Sequence, residues 1–217
     1  MPGRFISIDK LPAVIGVFPL TGALLLPRGH LPLNVFEPRY LALVDSALAG
    51  TRLIGMIQPT EHEDKNLRPP LSGVGCVGRI TAFSESEDGR YQITLTGLCR
   101  FRVDGETASS VPFREVRADY AAYAHDLAGI QDNDFPRERL LAALKDYLSQ
   151  RDMKADWKSI MTAPGETLIN ALSMMCPFEP TEKQALLEAV DFDARVATLI
   201  ALLEMSAGEP GAPQSVN

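Results

Sequence analysis

The sequence predicts an α+β protein, with a β-rich N-terminal part carrying one inserted helix and a helical C-terminal part. Three observations carry that reading. Between Arg90 and Val103, Tyr91, Ile93 and Leu95 alternate with Gln92, Thr94 and Thr96, the period-2 signature of a half-buried strand. Beyond residue 130 the apolar spacing changes to three and four, the period of a helix with one buried face. The charge divides at the same place. Residues 1–120 hold 13 Lys/Arg and 13 Asp/Glu, whereas residues 121–217 hold 8 against 15 and carry the whole net charge of −7. The expected organisation is a β-rich subdomain over 1–122, a helical bundle over 123–207 and a disordered tail over 208–217.

The β-rich part opens with Val14 to Phe18, closed by Pro19, and continues with Leu31 to Val35, Arg52 to Ile57 and Val74 to Phe83. Asp88-Gly89 precedes the clearest strand, and glycine there supplies the positive φ that a tight hairpin needs. Gly97 interrupts the alternation, which resumes as Phe101 and Val103 against Arg100 and Arg102, so it marks a bulge or bend. Pro112 to Val116 is the expected last strand. The inserted helix starts at Pro38, where a missing N–H costs little. Its stripe is Tyr40, Leu41, Val44 and Leu48, and Gly50 ends it. Pro59 to Gly73, charged and proline-bearing, reads as an exposed loop.

In the helical part, Asp134-Phe135-Pro136 opens a helix lined by Leu140, Leu141, Leu144 and Leu148. Ala155 to Met161 suggests a short helix before Pro164-Gly165. Leu168, Ile169, Leu172 and Met175 form the next stripe, ended by Pro177. Thr181 to Gln184 has capping-box spacing, followed by Leu186, Leu187 and Val190. A last helix runs from about Asp193 to Met205, with Val196, Leu199, Ile200 and Leu203 inward. Such short amphipathic helices must pack on one another and on the β-rich part.

Composition and motifs exclude several chemistries. With 46% hydrophobic and 23% charged residues, the chain is that of an ordinary globular protein. No apolar run approaches the roughly 20 residues of a membrane-spanning helix, and the start has no signal-peptide pattern, which predicts a cytoplasmic protein. Cys76, Cys99 and Cys176 read as reduced core thiols rather than a disulfide framework. None of the six lysines sits in a phosphate-cradling GxxxxGK[ST] loop. His62-Glu63 lacks the second histidine of a zinc-protease helix. Gly73 to Gly78 precedes a strand-like run instead of a helix, so a phosphate has no helix N-terminus to rest on. No catalytic residue, metal ligand or cofactor is expected.

Three segments resemble the family of Lon protease N-terminal, substrate-binding domains. The first runs from Val17-Phe18-Pro19-Leu20 through Leu26-Pro27 to Leu31-Pro32-Leu33-Asn34-Val35-Phe36-Glu37-Pro38-Arg39-Tyr40. The second is Gly75 to Ile80 with Asp88-Gly89-Arg90-Tyr91 and Leu95 to Val103. The third is Asn170-Ala171-Leu172, Pro177-Phe178 and Glu182 to Glu188. Order, spacing and content agree over about residues 18–205. The resemblance implies a PUA-like pseudo-barrel followed by a helical bundle, and a module that recognises and holds polypeptide substrates. It looks like a stand-alone member without the ATPase and peptidase domains of full-length Lon, so a non-enzyme is expected.

On this reading the partners are unfolded or tagged polypeptide segments, with a separate protease as a further one and the module acting as an adaptor or chaperone-like component. No membrane partner is expected, and oligomeric state is left open. Phe36, Glu37, Arg39 and Tyr40 are the candidate polypeptide-binding residues. The competing account makes Phe36 and Tyr40 staples between helix and barrel, and Glu37 and Arg39 a local pair or cap. The alternative function is RNA binding through a basic strip of Arg79, Arg100, Arg102, Arg114 and Arg117, against a solvated face paired with Glu85 and Glu115. An acidic helical part disfavours nucleic acid. A small-ligand or enzymatic site in a barrel pocket would need converging polar groups.

Overall fold

The computed structural model describes residues 7–60, 68–128 and 134–208. Its β-rich part contains β1 (Val14–Pro19), β2 (His30–Val35), α1 (Pro38–Ala49), β3 (Leu53–Pro59), β4 (Leu71–Glu85), β5 (Tyr91–Glu106) and β6 (Arg114–Asp119). The strand order is β2-β5-β4-β3-β1-β6, and β6 pairs again with β5. Five strands therefore close into a barrel, while β2 lies outside the ring as an added strand. Every residue of β3 is buried, as expected of a strand covered on both faces, and β1 joins it in parallel. The parallel pair needs a crossover, which β2 and α1 supply.

β5 can serve three neighbours because it is 16 residues long. Its first half pairs with β2, its last residues with β6, and β4 runs beside nearly all of it. The two halves bend apart at Gly97. Val77 pairs with Cys99 and Gly78 with Gly97, which leaves Leu98 as the extra residue of a bulge, as the broken alternation predicts. A Cβ on Gly97 would lie 2.1 Å from the carbonyl oxygen of Leu26. That segment, Leu24 to Leu26, belongs to no strand yet is fully buried. The hairpin turn carries Gly89 at φ +76°, as its Asp-Gly signal requires.

Pro38 takes the first position of α1 and Gly50 follows its end. The buried face is Tyr40, Leu43, Val44 and Ala47, with the expected Leu41 and Leu48 only half-buried at its edges. The expected loop from Pro59 to Gly73 is shorter, because β3 extends through Pro59 and β4 begins at Leu71. Its centre, with His62 and Glu63, lies outside the described residues. The last strand begins two residues later than expected and continues to Asp119.

A 3-10 helix (Ala121–Leu127) leads into α2 (Arg137–Gln150), α3 (Trp157–Thr162), α4 (Gly165–Met175), α5 (Pro180–Glu188) and α6 (Phe192–Gly208). Val196, Leu199, Ile200 and Leu203 are buried on α6, as expected, and α2 packs against them with Leu140, Leu144, Tyr147 and Leu148. Three expectations are corrected. Met175, the last residue of α4, is 80% exposed, and Val190, beyond the end of α5, is 69% exposed; each stripe was extended past the turn that holds it. The capping box forms at Glu179 and Glu182, where the Glu182 carboxylate accepts the Glu179 N–H at 2.8 Å. Pro180 at the first helical position starts α5 before Thr181. The expected tail lies outside the described residues except for Gly208, which ends α6.

One buried core joins barrel and helices, from Leu11 to Leu203. Cys76, Cys99 and Cys176 are free and buried within it, which agrees with the reading of reduced core thiols. No helix among the described residues is long and apolar enough to cross a membrane.

Candidate binding surface

The turn from β2 into α1 separates the four candidate polypeptide-binding residues. Tyr40 is 6% exposed and stacks on Phe18 with ring centroids 4.0 Å apart, while burial pushes its phenol above the ordinary value. It is a structural staple. Glu37 and Arg39 pair locally, with Arg39 Nε donating to the Glu37 carboxylate at 2.9 Å, and the Arg39 guanidinium lies over the Tyr40 ring. Glu37 occupies the N-cap position without its side chain capping the helix. Phe36 does not fit the competing account of it as a staple. It is 62% exposed, because the chain leaves β2 at Val35 and the next side chain turns out of the sheet.

Two more aromatic residues, Phe83 and Tyr91, lie at the same end of the sheet as Phe36, a grouping that periodicity did not signal. Val35 and Glu85 both pair with Tyr91, which brings the end of β2 beside the β4–β5 hairpin. The Tyr91 ring meets Phe83 edge-on at 5.1 Å, and Phe83 is 43% exposed. The Arg90 guanidinium sits 5.9 Å from the Phe36 ring, and Arg90 pairs with Asp88 across the turn. Tyr91 bonds to Asp45 of α1, which raises its phenol pKa. Phe36, Phe83 and Tyr91, with Arg90 among them, thus gather at one end of the β2–β5–β4 ribbon. A surface of this kind takes apolar side chains, and its arginine contributes cation–π and hydrogen-bonding capacity.

The outer edge of β2 offers less. Among the described residues no strand pairs with the outer edge of β2. Proline is tolerated in a paired strand where its nitrogen faces away from the neighbour, so Pro32, opposite Thr94 of β5, removes a donor from that edge in the middle of the strand. Strand addition there is blunted.

The expected basic strip does not form. Arg100 is 1% exposed, and its Nε and Nη2 donate to the two carboxylate oxygens of Asp126 at 2.9 Å each. Nη1 donates to the carbonyls of Leu187 and Ala189. The alternation of β5 placed Arg100 outward, but the helical part covers that face of the strand and turns outward into inward. Arg114 is bound to Glu106 and to the Pro69 carbonyl, and the salt-bridging Arg114 holds the Glu106 carboxyl below the usual glutamate value. Arg117 faces Asp104 at 3.7 Å. Arg79 is half-buried and Arg102 exposed. The acidic partners are Asp126, Glu106 and Asp104 in place of the expected Glu85 and Glu115.

The seam between barrel and helices is held by polar bonds that the sequence pattern did not signal. Arg28, at φ +66°, donates to the carboxylate of Glu166 in α4 and to the Asp126 carbonyl. Asn170 Nδ2 donates to the Pro27 carbonyl at 2.9 Å, Lys183 to the Gly22 carbonyl, and Gln58 Nε2 to the Pro180 carbonyl. Arg195, 4% exposed, donates to the Leu186 carbonyl, and burial lowers its pKa to about 10. Among the described residues no three His, Cys, Asp or Glu side chains gather as a metal site.

Comparison with known proteins adds a family to this geometry. The profile described as "ATP-dependent protease La (LON) substrate-binding domain" matches residues 14–205. Lon protease 2 of Myxococcus xanthus is 27% identical over 208 residues, which cover 93% of this chain and 25% of that protein. Lon protease of Anaeromyxobacter dehalogenans is 26% identical over 211 residues, covering 93% and 24%. The chain spans about a quarter of the length of these curated relatives. Among solved structures, a Lon N-terminal domain protein from Xanthomonas campestris superposes with a TM-score of 0.61 at 22% identity, covering 87% of this chain and 97% of that one. The N-terminal domain of Mycobacterium avium complex Lon protease gives 0.57 at 15%, covering 90% and 98%. At these identities the likeness is one of fold.

Proposed function

The chain belongs to the family of LON substrate-binding domains, and from that premise we propose that it recognises non-native polypeptide segments by their exposed apolar side chains. The observation that carries the proposal is the group of Phe36, Phe83 and Tyr91, which the fold gathers at one end of the ribbon with Phe36 62% exposed. Leaving large aromatic side chains in water forgoes their burial, and contiguous exposed apolar surface marks interaction sites. Family membership supplies the kind of partner. What matches is a substrate-binding domain, so the proposal is recognition without catalysis. The barrel part up to residue 122 supplies this surface and the helical part after it braces the barrel. A role as adaptor or chaperone-like component beside a separate protease, in the cytoplasm, belongs to the same proposal. The RNA reading is not favoured, because Arg100 is inside and Arg114 and Arg117 face carboxylates.

The test is binding of a reduced, carboxyamidomethylated protein that cannot refold, followed by fluorescence anisotropy. The expected result is saturable binding by this chain, weakened about thirtyfold by Phe36→Ser with Phe83→Ser, each removing aromatic contacts of about 1 kcal/mol. Equal binding by the double variant, with the fold intact by circular dichroism, would overturn the assignment of the surface.

A further inference from the structure

A crevice of about 240 Å³ opens on the seam, where the turn before β2 meets one face of α4. Gly29 and His30 form one side, and Asn170, Ala171, Met174 and Met175 the other; Thr167 and the Arg28–Glu166 pair complete the lining. The walls are rich in thioether. A Cβ on Gly29 would lie 2.5 Å from Met174 Sδ, so the sulfur rests directly on the glycine backbone. Met175 stands at the rim, 80% exposed.

The polar groups of the crevice are unevenly satisfied. Arg28 spends its guanidinium on Glu166 and on the carbonyls of Asp126 and Ala128, and Glu166 Oε1 accepts from it twice. Asn170 is 4% exposed. Its partner Pro27 offers only a carbonyl, so the amide nitrogen must face Pro27 and the orientation of the side chain is settled. The other amide atom, Oδ1, is buried without a hydrogen-bond partner. Buried acceptors of this kind call for an explanation, and an absent donor is one.

The complement of such a crevice is an aromatic body with one N–H donor. Methionine sulfur packs favourably against aromatic rings, and methionine adapts its shape to what it holds. Indole supplies a large ring and a single N–H with no acceptor to bury. Phenylalanine and leucine would leave Oδ1 unpaired, and tyrosine would bring a hydroxyl whose lone pairs also need partners. We propose that the crevice between Gly29 and α4 is a tryptophan subsite, taking the indole of a bound polypeptide with its Nε1–H donated to Asn170 Oδ1 and its ring against Met174 and Met175. Oδ1 is enclosed in the crevice, so the proposed binding includes a displacement of the half-buried Met174 side chain, which rests on Gly29, to open Oδ1 to the ring. The subsite deepens the polypeptide-recognition reading and rests on it.

The experiment titrates the full chain into a fluorescein-labelled, polar twelve-residue peptide carrying one tryptophan, with anisotropy as the readout. The label avoids interference from the protein's own single tryptophan, Trp157. The tryptophan peptide is expected to bind at least about tenfold more tightly than the same peptide with phenylalanine or with 1-methyltryptophan, which keeps the ring and loses the donor. Ala171→Arg and Met175→Glu, neither of which touches the Asn170–Pro27 bond, should remove the preference. Equal affinity for tryptophan and 1-methyltryptophan, or an unchanged preference in Ala171→Arg and Met175→Glu, overturns the subsite. If the unfolded protein still binds in that case, the general reading stands. If neither peptide nor unfolded protein binds, both fall.

Discussion

Arg100 of β5 and Asp126 of the 3-10 helix form a two-point ion pair, 2.9 Å at each contact, with both side chains at most 5% exposed. The same guanidinium reaches the Leu187 and Ala189 carbonyls at the end of α5 and lies 4.3 Å from the Tyr123 ring. One side chain thus ties the barrel to the segment after it and to the helical part. Arg100→Met would leave Asp126 buried without its cation, and such breakage costs about 3–5 kcal/mol. Arg100→Lys should fail to restore it, since an ammonium cannot reproduce the fork. Urea denaturation reads both variants, and a loss under about 1 kcal/mol in Arg100→Met would show that the pair is not what fastens the two parts.

The neighbours Phe36 and Tyr40 should respond oppositely to truncation. Tyr40→Ala removes a ring stacked on Phe18 and should cost about 3 kcal/mol or more. Phe36→Ser should stay within about 0.5 kcal/mol of the parent stability while weakening capture of unfolded polypeptide. Thermal melting paired with the binding assay separates the two roles; a large stability loss in Phe36→Ser would make that residue a staple after all.

Gly97→Ala tests the bulge. The added methyl meets a backbone carbonyl that no rotamer change can move, so the Leu26 segment or the strand must shift. The expected cost is about 3 kcal/mol, or a fall in Tm of roughly 6–12 °C for a chain of this size. A melting temperature within about 2 °C of the parent would mean that the segment yields freely.

The thiols make stability depend on alkaline pH. Burial pushes Cys99 up to about 12, Cys176 to about 11 and Cys76 well above its ordinary value, whereas unfolded thiols ionise near 9.0. Between these values the unfolded chain binds fewer protons than the folded one. Stability therefore falls as pH rises past about 9, by up to about 1.4 kcal/mol per pH unit for each thiol. Urea midpoints between pH 8 and 10.5 should decline accordingly, and Cys99→Ala should flatten the decline. At pH 8 a thiol reagent should label these cysteines only as fast as the protein opens.

Elements governed by local rules were legible: the alternation of β5, Pro38 at the start of α1, Gly89 in the hairpin and the interruption at Gly97 each follow from backbone sterics or a two-residue period. What was not legible depends on which distant segment covers a surface. Arg100 keeps its strand parity, yet the helical part arrives 87 residues later in the chain and encloses it. Phe36 and Tyr40 share a motif but not a fate, because the helix begins between them. Met175 and Val190 continued their stripes by spacing alone, one to the exposed last residue of α4 and the other past the end of α5. The seam bonds of Arg28 and Asn170 join residues 138 and 143 positions from their partners, a distance over which no periodicity speaks.

The closure of the barrel also dictates an order of events at synthesis. β1 is enclosed only when Val14 meets Arg117 and Ile15 meets Val116, so its outer edge cannot be covered until about a hundred further residues have left the ribosome. At about 5–20 residues per second the first strand waits for roughly 5–20 s. A nascent chain stalled before residue 114 should be cut readily by protease, and one stalled well beyond residue 119 should resist. During that interval the newborn protein presents an uncovered strand edge of its own.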